Sequence, residues 1–229
     1  MPLEIQLAVD EDAPRLAAIE RDAYADNGLS PILFPGPFPQ DALETRASGL
    51  IQQRKDDPQM RWVKAVDSET NEIVAWAKWE IIDKPREAKP SSRTFGQGCN
   101  VQACEEYFGG IHQKRHELMH GKFHVCRPLT RHGVFYSLYP DVLKVLDLLQ
   151  TDPKHQGRGA GSMLIKWGTD IADKMRLPAY LESSPKAYKL YQKHGFNTIG
   201  VFTMDPKWGY GADVDPNIHF MIRDIPAEA

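Results

Sequence analysis

Apolar positions recur along this chain with two periods, and the switches between them mark its elements. Residues 5–8 alternate, as a half-buried strand does. Asp10-Glu11-Asp12 then supplies a helix cap and first-turn acids. Leu16, Ile19 and Ala23, flanked by Ala17 and Tyr24, form a stripe at helical spacing, which predicts a helix over 12–25. Residues 27–39 hold four prolines and two glycines and read as a structured loop without helix. Asp41 caps a second predicted helix to about Lys55, with Leu43, Ala47, Leu50 and Ile51 on one face. Residues 62–66 and 73–82 are predicted strands joined in a hairpin at Ser68-Glu69-Thr70-Asn71.

Residues 84–98 are polar, contain Pro85 and Pro90, and predict an exposed linker, while 101–120 look helical with weak periodicity. Residues 142–151 are mostly apolar, with β-branched and Leu residues, and read as a central strand that ends at Asp152-Pro153. The strongest helix spans 159–176, where Met163, Leu164, Trp167, Ile171 and Met175 fall at helical spacing before Leu177-Pro178 stops it. A short strand (179–182), a helix (185–194) with Gly195 at its C′ position, and closing strands (198–204, 218–222) around an irregular loop (205–217) complete the chain. Mixed elements with a late strand–helix–strand unit predict an α/β sandwich. A length of 229 residues suits one domain, 1–229, with a long insertion.

The chemistry is concentrated in Asp152-Pro153-Lys154-His155-Gln156-Gly157-Arg158-Gly159-Ala160-Gly161-Ser162, which runs from strand through a glycine-rich turn into helix. Such a turn leaves backbone N–H groups unpaired at a helix N-terminus, where the dipole adds roughly +0.5 charge, so a phosphate or pyrophosphate is its natural occupant. A nucleoside-triphosphate loop needs lysine before Ser/Thr, and Gly161-Ser162 has none. A dinucleotide or adenosyl-methionine site gains some support from Glu182, which ends the next strand where a ribose-binding acid would sit. The pattern G-x-G-x-x-G is not met, and too little chain remains for a doubly wound sheet.

Composition narrows the classes. Hydrophobic residues at 41% and charged residues at 26% are those of a soluble globular protein. Lys+Arg number 28 against 31 Asp+Glu, a net charge of −3, which opposes a dedicated nucleic-acid partner. No apolar run approaches the ~18 residues of a membrane span, and the N-terminus does not read as a signal peptide. Cys99, Cys104 and Cys126, an odd set at no framework spacing, read as reduced thiols of a cytosolic or nuclear compartment.

Two segments resemble a known family. Gln156-Gly157-Arg158-Gly159-Ala160-Gly161 matches the Q/R-x-x-G-x-G/A motif of the GNAT superfamily of acyl-CoA-dependent N-acetyltransferases. Ala187-Tyr188-Lys189-Leu190-Tyr191-Gln192-Lys193-His194-Gly195-Phe196 resembles its A-x-x-L-Y-x-K-x-G-F segment, in the right order about 30 residues on. Thr151-Asp152-Pro153 stands where the family has Val-x-Pro, and the N-terminal strand and helix resemble its opening elements. Asp170-Ile171-Ala172-Asp173 and the segment from Tyr180 to Pro185 resemble uncharacterised fungal members. The likeness fails over 84–141, which therefore reads as an insertion between the third and fourth strands.

The resemblance implies an α/β fold: a mixed, mostly antiparallel sheet flanked by helices and splayed between strands four and five. It implies acetyl-CoA as co-substrate, its diphosphate on Gln156, Gly157, Arg158, Gly159, Ala160 and Gly161, with Arg158 adding a charged contact. It places the pantetheine arm along Leu149, Gln150 and Thr151, with Ser184 where the family often has an arm-contacting Asn. It implies direct attack of an amine on the thioester, a main-chain N–H of Leu149 or Gln150 for the oxyanion, and Tyr191 as proton donor to the departing thiolate. As bases, Asp147, expected on the face of Leu149, and Glu80 are the weaker candidates, since sheet-edge exposure also explains a strand carboxylate. The acceptor is expected to be a small molecule; a protein or peptide acceptor and a non-catalytic acyl-CoA-binding regulatory module are the alternatives. Cytoplasmic location, no nucleic-acid or membrane partner, and a monomer or homodimer complete the expectation.

Two further groups compete for a role. Cys99, Cys104, His112, His116, His120, His124 and Cys126 crowd the insertion, with the first three histidines at i, i+4, i+8. Without C-x-x-C or H-E-x-x-H, and with Lys114, Arg115 and Lys122 nearby, no metal is expected; a polar helix covering the acceptor site is. Trp208, Tyr210, Asp213 and Asp215 line an acceptor pocket or merely form turns.

Overall fold

The structure is a computed structural model and describes residues 2–25, 27–81, 94–121 and 144–225. Its centre is an antiparallel hairpin, β2 (Met60–Asp67) with β3 (Ile73–Ile81). Period-two alternation sorts its side chains: Trp62 and Trp76 face one side of the sheet, and Val63, Ala65, Ala75, Ala77 and Trp79 the other. β1 (Leu3–Leu7) pairs antiparallel with β2, and β4 (Lys144–Thr151) antiparallel with β3. β5 (Ala179–Ser183), β6 (Asn197–Thr203) and β7 (Asn217–Arg223) finish a seven-stranded sheet in the order β1-β2-β3-β4-β5-β7-β6. Every pairing is antiparallel except β4 with β5, which is parallel and covers only Lys144–Leu146 against Ala179–Leu181. The sheet is therefore mixed, mostly antiparallel and splayed between its fourth and fifth strands, as expected.

Helices cover both faces because their apolar stripes need a partner. On the tryptophan face, α1 (Ala13–Ala25) and α3 (Ala42–Asp56) bury Leu16, Ile19, Ala47 and Leu50 over Trp62 and Trp76. On the opposite face, α5 (Ala160–Met175) buries Leu164, Ile165 and Ala172. α6 (Pro185–Lys193) follows β5 and ends before Gly195, which adopts φ +83 at C′ as anticipated.

The loop expected over 27–39 contains one helical turn, α2 (Ser30–Leu33). Pro31 sits in its first turn, where a missing N–H is no loss, so the proline does not exclude helix there. Residues 101–121 form α4 (Val101–Gly121), whose inner stripe is Ala103, Cys104, Tyr107, Ile111 and Leu118. That stripe packs on Leu33 of α2 and on Tyr180, Ile218 and Phe220 of the sheet. Most of the linker expected over 84–98, the junction at 142–143, and His124 and Cys126 lie outside the described residues.

One close approach tests the packing of α5 on the sheet. A Cβ on Gly168 would lie 2.1 Å from the ring of Trp79, which is fully buried and donates its indole N–H to the Leu164 carbonyl at 3.2 Å. Overpacking costs about 1–3 kcal/mol, at the upper end for a trapped ring, against about 1 kcal/mol of helix propensity gained. Gly168→Ala should lose about 2 kcal/mol in urea unfolding. Gly49→Ala, in α3 with open space around its Cβ, should show no loss.

Candidate active site

The glycine turn is built to leave amides open. Asp152 ends β4 and caps a short 3-10 turn (Pro153–His155), its side chain accepting from the Lys154 N–H at 2.9 Å. Gln156 is extended, and Gly157 and Gly159 take φ +78 and +87, values that side chains make costly. A Cβ at either glycine would meet nothing within 4 Å, so the space over the turn is open. No side chain caps α5, which begins at Ala160, so its first N–H groups remain available. Gly161 serves a different purpose: a Cβ there would press on Leu190 of α6 at 3.2 Å and approach Leu149 of β4 at 3.6 Å. Positive φ, open space and uncapped amides together fit a diphosphate.

The turn is bolted down by ion pairs that sequence reading missed. Arg158 donates to Asp67 at the end of β2 at 2.7 Å and approaches His155 Nδ1 at 3.0 Å. Arg158 was expected to contact phosphate; the structure engages its guanidinium with Asp67, a fully buried residue of the central hairpin. Arg15 of α1 binds Asp152 at 2.7 Å, Glu72 at 3.0 Å and the Ile73 carbonyl at 3.1 Å. The Arg158 guanidinium and the Glu69 N–H hold the Asp67 carboxyl below the usual range. Burial opposes the charge of Asp152, but the Lys154 N–H and Arg15 outweigh it and lower that carboxyl too. Glu72, Asp152 and His155 lie close enough to share a cation, but Arg15 already bridges both acids.

Beside the turn, the sheet opens. Beyond Leu146 the β5-facing edge of Leu148–Thr151 has no strand partner among the described residues. Leu149, Gln150 and Thr151 remain paired to Ala77, Trp76 and Ala75 on their other side. An extended ligand arm fits such an edge, since backbone donors and acceptors need partners. Ser184 caps α6 at the end of β5, half-buried, and makes no side-chain cap bond.

A bulge displaces one expected residue. The β3–β4 register shifts so that Lys78 faces Leu148 while Trp79 faces Leu146. Alternation fails across the bulge: Leu146 and Leu149 pack toward α5, Leu148 toward the tryptophan face. Asp147 was expected on the face of Leu149. Its carboxylate instead meets Lys78 Nζ at 2.5 Å, and that ammonium also reaches Gln53 of α3, behind the tryptophan face. Glu80 is half-buried two residues after Lys78, on the same face of β3 by alternation.

Tyr191 projects from α6 into the core of the α5 face, is 6% exposed, and meets Phe196 edge-on with ring centroids 6.0 Å apart. Burial raises its phenol above the usual tyrosine value, and the nearby Tyr24 adds to the shift. On the other side of the gap, Glu182 accepts from Arg115 of α4 at 2.5 and 2.8 Å and from the Tyr180 hydroxyl at 2.8 Å. Both carboxylate oxygens thus already have partners within the protein, which weakens the support Glu182 gave to a dinucleotide. Trp208 donates to Glu106 of α4 at 3.1 Å and Tyr210 to the Met204 carbonyl at 2.8 Å, so these loop aromatics brace α4 and their own loop. Cys99 and Cys104 are free thiols. Cys104 donates to the Leu33 carbonyl, and burial pushes its thiol up to about 11. Among the described residues neither cysteine joins His112 or His116 in a ligand cluster.

Residues 123–198 match the acetyltransferase (GNAT) domain family. The matched segment is about a third of the chain, and over it the sequence is similar to GNAT acetyltransferases. It is 32% identical over 65 residues, 28% of its length, to the "Probable acyltransferase SID5" of Ajellomyces capsulatus. Over 75 residues, 33% of its length, it is 38% identical to an uncharacterised N-acetyltransferase of Schizosaccharomyces pombe. The aligned stretches span 48% and 28% of these relatives, so the chain matches less than half of either. A Corynebacterium glutamicum structure described as histone acetyltransferase HPA2 and related acetyltransferase superposes with TM-score 0.59 at 22% identity, covering 100% of this chain and 99% of that one. That likeness shows the fold. The match 123–198 contains the gap, the glycine turn and α6.

The two bolted carboxylates give the glycine turn a pH signature. Their folded pKa values lie below the unfolded value of about 3.9, so the stabilisation is present above that pH and fades as pH falls through the lower folded values. Between about pH 5 and 2, an Asp67→Asn, Asp152→Asn double variant should therefore lose stability less steeply than the parent in urea titrations. Parallel slopes would show that the pairs do not anchor the turn.

Proposed function

We propose that the chain is an acyl-CoA-dependent N-acetyltransferase that moves an acetyl group from acetyl-CoA directly to the amine of a small molecule. The observation that carries this reading is the adjacency of an open, uncapped glycine turn to an unpaired strand edge, in a GNAT sheet. Gln156, Gly157, Arg158, Gly159, Ala160 and Gly161 form the diphosphate cradle, with Arg158 acting through Asp67 to fix its shape. The edge of Leu149, Gln150 and Thr151 takes the pantetheine arm, with Ser184 across the gap. Bound there, acetyl-CoA supplies an acyl thioester as donor.

The chain's own groups then have three tasks. Alignment of amine and carbonyl alone contributes on the order of 7–11 kcal/mol, so a strong base is not required. A main-chain N–H of Leu149 or Gln150 faces the oxygen that gains charge, a donor worth about 3–4 kcal/mol in comparable sites. Tyr191 holds its proton for the departing sulfur, and the upward shift of its phenol suits a donor that must stay protonated. Asp147 and Glu80 are the weaker base candidates; the ion pair with Lys78 makes Asp147 a positioning group first. The near-neutral chain, net −3, favours a small acceptor over a nucleic-acid-bound one.

Calorimetric titration of acetyl-CoA is the primary test. Binding should be lost in an Arg158→Ala, Gly159→Asp double variant, whose Asp occupies the open cradle and opposes an anion; undiminished binding would overturn the site. Tyr191→Phe should keep coenzyme binding while kcat falls about 10²–10⁴-fold, the usual scale for a positioned proton donor. Because the Tyr191 phenol is raised, kcat/KM should climb with pH as the amine deprotonates and show no descending limb to about pH 10.

A further inference from the structure

We infer that Arg115 and Glu182 form a carboxylate-binding subsite beside the β4–β5 gap, so that the acceptor carries a carboxylate close to its amine, as an amino acid does. This rests on the reading that acyl transfer occurs at that gap. Glu182 follows Leu181, the last β5 residue paired to β4, and so stands where the strands part. Arg115 reaches that point from α4, in the inserted segment.

The inference follows from counting donors and acceptors. Glu182 has spent both oxygens, on Arg115 Nε and Nη2 and on the Tyr180 hydroxyl. Tyr180 has spent its proton on Glu182. A guanidinium has five N–H groups, and two of these bind Glu182. The two on Nη1 and one on Nη2 have no partner among the described residues. Three N–H donors thus remain on a guanidinium whose fork geometry matches a carboxylate.

The surroundings agree. Arg115 is set deep among protein atoms, yet its side chain is 43% exposed, as expected of a residue that lines a cleft. Its partner Glu182 is only 18% exposed and holds the guanidinium in one orientation. Asp147 faces Arg115 from β4, but Lys78 offsets its charge. Two cations thus meet two anions, and an incoming carboxylate is held by directed hydrogen bonds rather than by excess charge. An ammonium alone would find the charge of Glu182 already offset by Arg115. A zwitterionic acceptor suits this balance better than a simple amine.

The test compares acceptors with and without the carboxylate: ornithine and putrescine, tyrosine and tyramine, β-alanine and ethylamine. Saturation-transfer NMR titrations are run on the full chain with and without saturating coenzyme A. In at least one pair the carboxylated member should bind about tenfold more tightly or better, the scale of a hydrogen bond to a charged group. Arg115→Lys, which keeps the charge but loses the fork, should reduce that ratio. The Arg115→Gln, Glu182→Gln double variant, which leaves no buried charge unpaired, should abolish it. Equal or tighter binding of every decarboxylated partner, no binding by either member of any pair, or a ratio that survives the double variant would each overturn the subsite. Acetyl-CoA calorimetry on the same samples separates the two readings: a wild type that ignores the coenzyme but prefers carboxylates would sink the transferase reading and leave the subsite standing.

Discussion

The rest of this molecule depends on a pairing that stops. β4 and β5 run parallel for three register pairs and then share no more, although β4 continues to Thr151. A sheet that opens leaves backbone groups that water or a ligand must satisfy, and such an edge survives only if the strands are held apart from both sides. On one side α5 and α6 pack over Trp79, Leu146 and Leu181, with Tyr191 and Phe196 filling the angle between them. On the other, α4 packs on Tyr180 and Phe220 and fastens to Glu182. The gap is thus a product of packing on β4 and β5 separately.

Electrostatics does for the glycine turn what packing does for the gap. A turn with two glycines at positive φ is flexible by itself, and open space on its outer side gives it no support. Support comes from below. Asp67 at the end of β2, Arg158 in the turn, and Asp152 with Arg15 of α1 form two ion pairs at 2.7 Å that tie the turn to the hairpin and the first helix. Carboxylates and guanidinium groups neutralise each other beneath the turn, so the amides above it remain free for an anion.

Much of this was legible in the chain because it is local. The stripe Leu164, Trp167, Ile171 marked the longest α5-face helix, Gly195 its successor's end, and Gln156–Gly161 the glycine turn before α5, each within a few residues of sequence. What was not legible depends on partners far apart in sequence. The Arg158–Asp67 and Arg15–Asp152 pairs join residues 91 and 137 positions apart, and nothing in an isolated Asp67 announces a buried one. Asp147 misled for a related reason: alternation assigns faces only while the register holds, and the bulge opposite Lys78 turns Asp147 toward the tryptophan side. The weak periodicity of 101–120 has a physical cause as well. α4 buries Ala103, Cys104 and Tyr107 but also brings glycine against Phe202 at Gly110, so part of its inner face carries no apolar side chain to count.

That last point assigns α4 a larger role than a cover. The glycine turn and the strand edge lie in the segment that matches the GNAT domain family, whereas α4 lies outside it. It reaches the gap through a single guanidinium, is locked to the β6–β7 loop by Trp208 on Glu106, and fits β6 closely enough that Leu118 would collide with a Cβ on Gly200 at 2.7 Å. A helix so tightly keyed is a rigid wall, and a rigid wall beside a reactive gap selects by shape and by the few polar atoms it exposes. On the proposed reading the division follows: the elements with family likeness hold the donor, and α4 selects among acceptors.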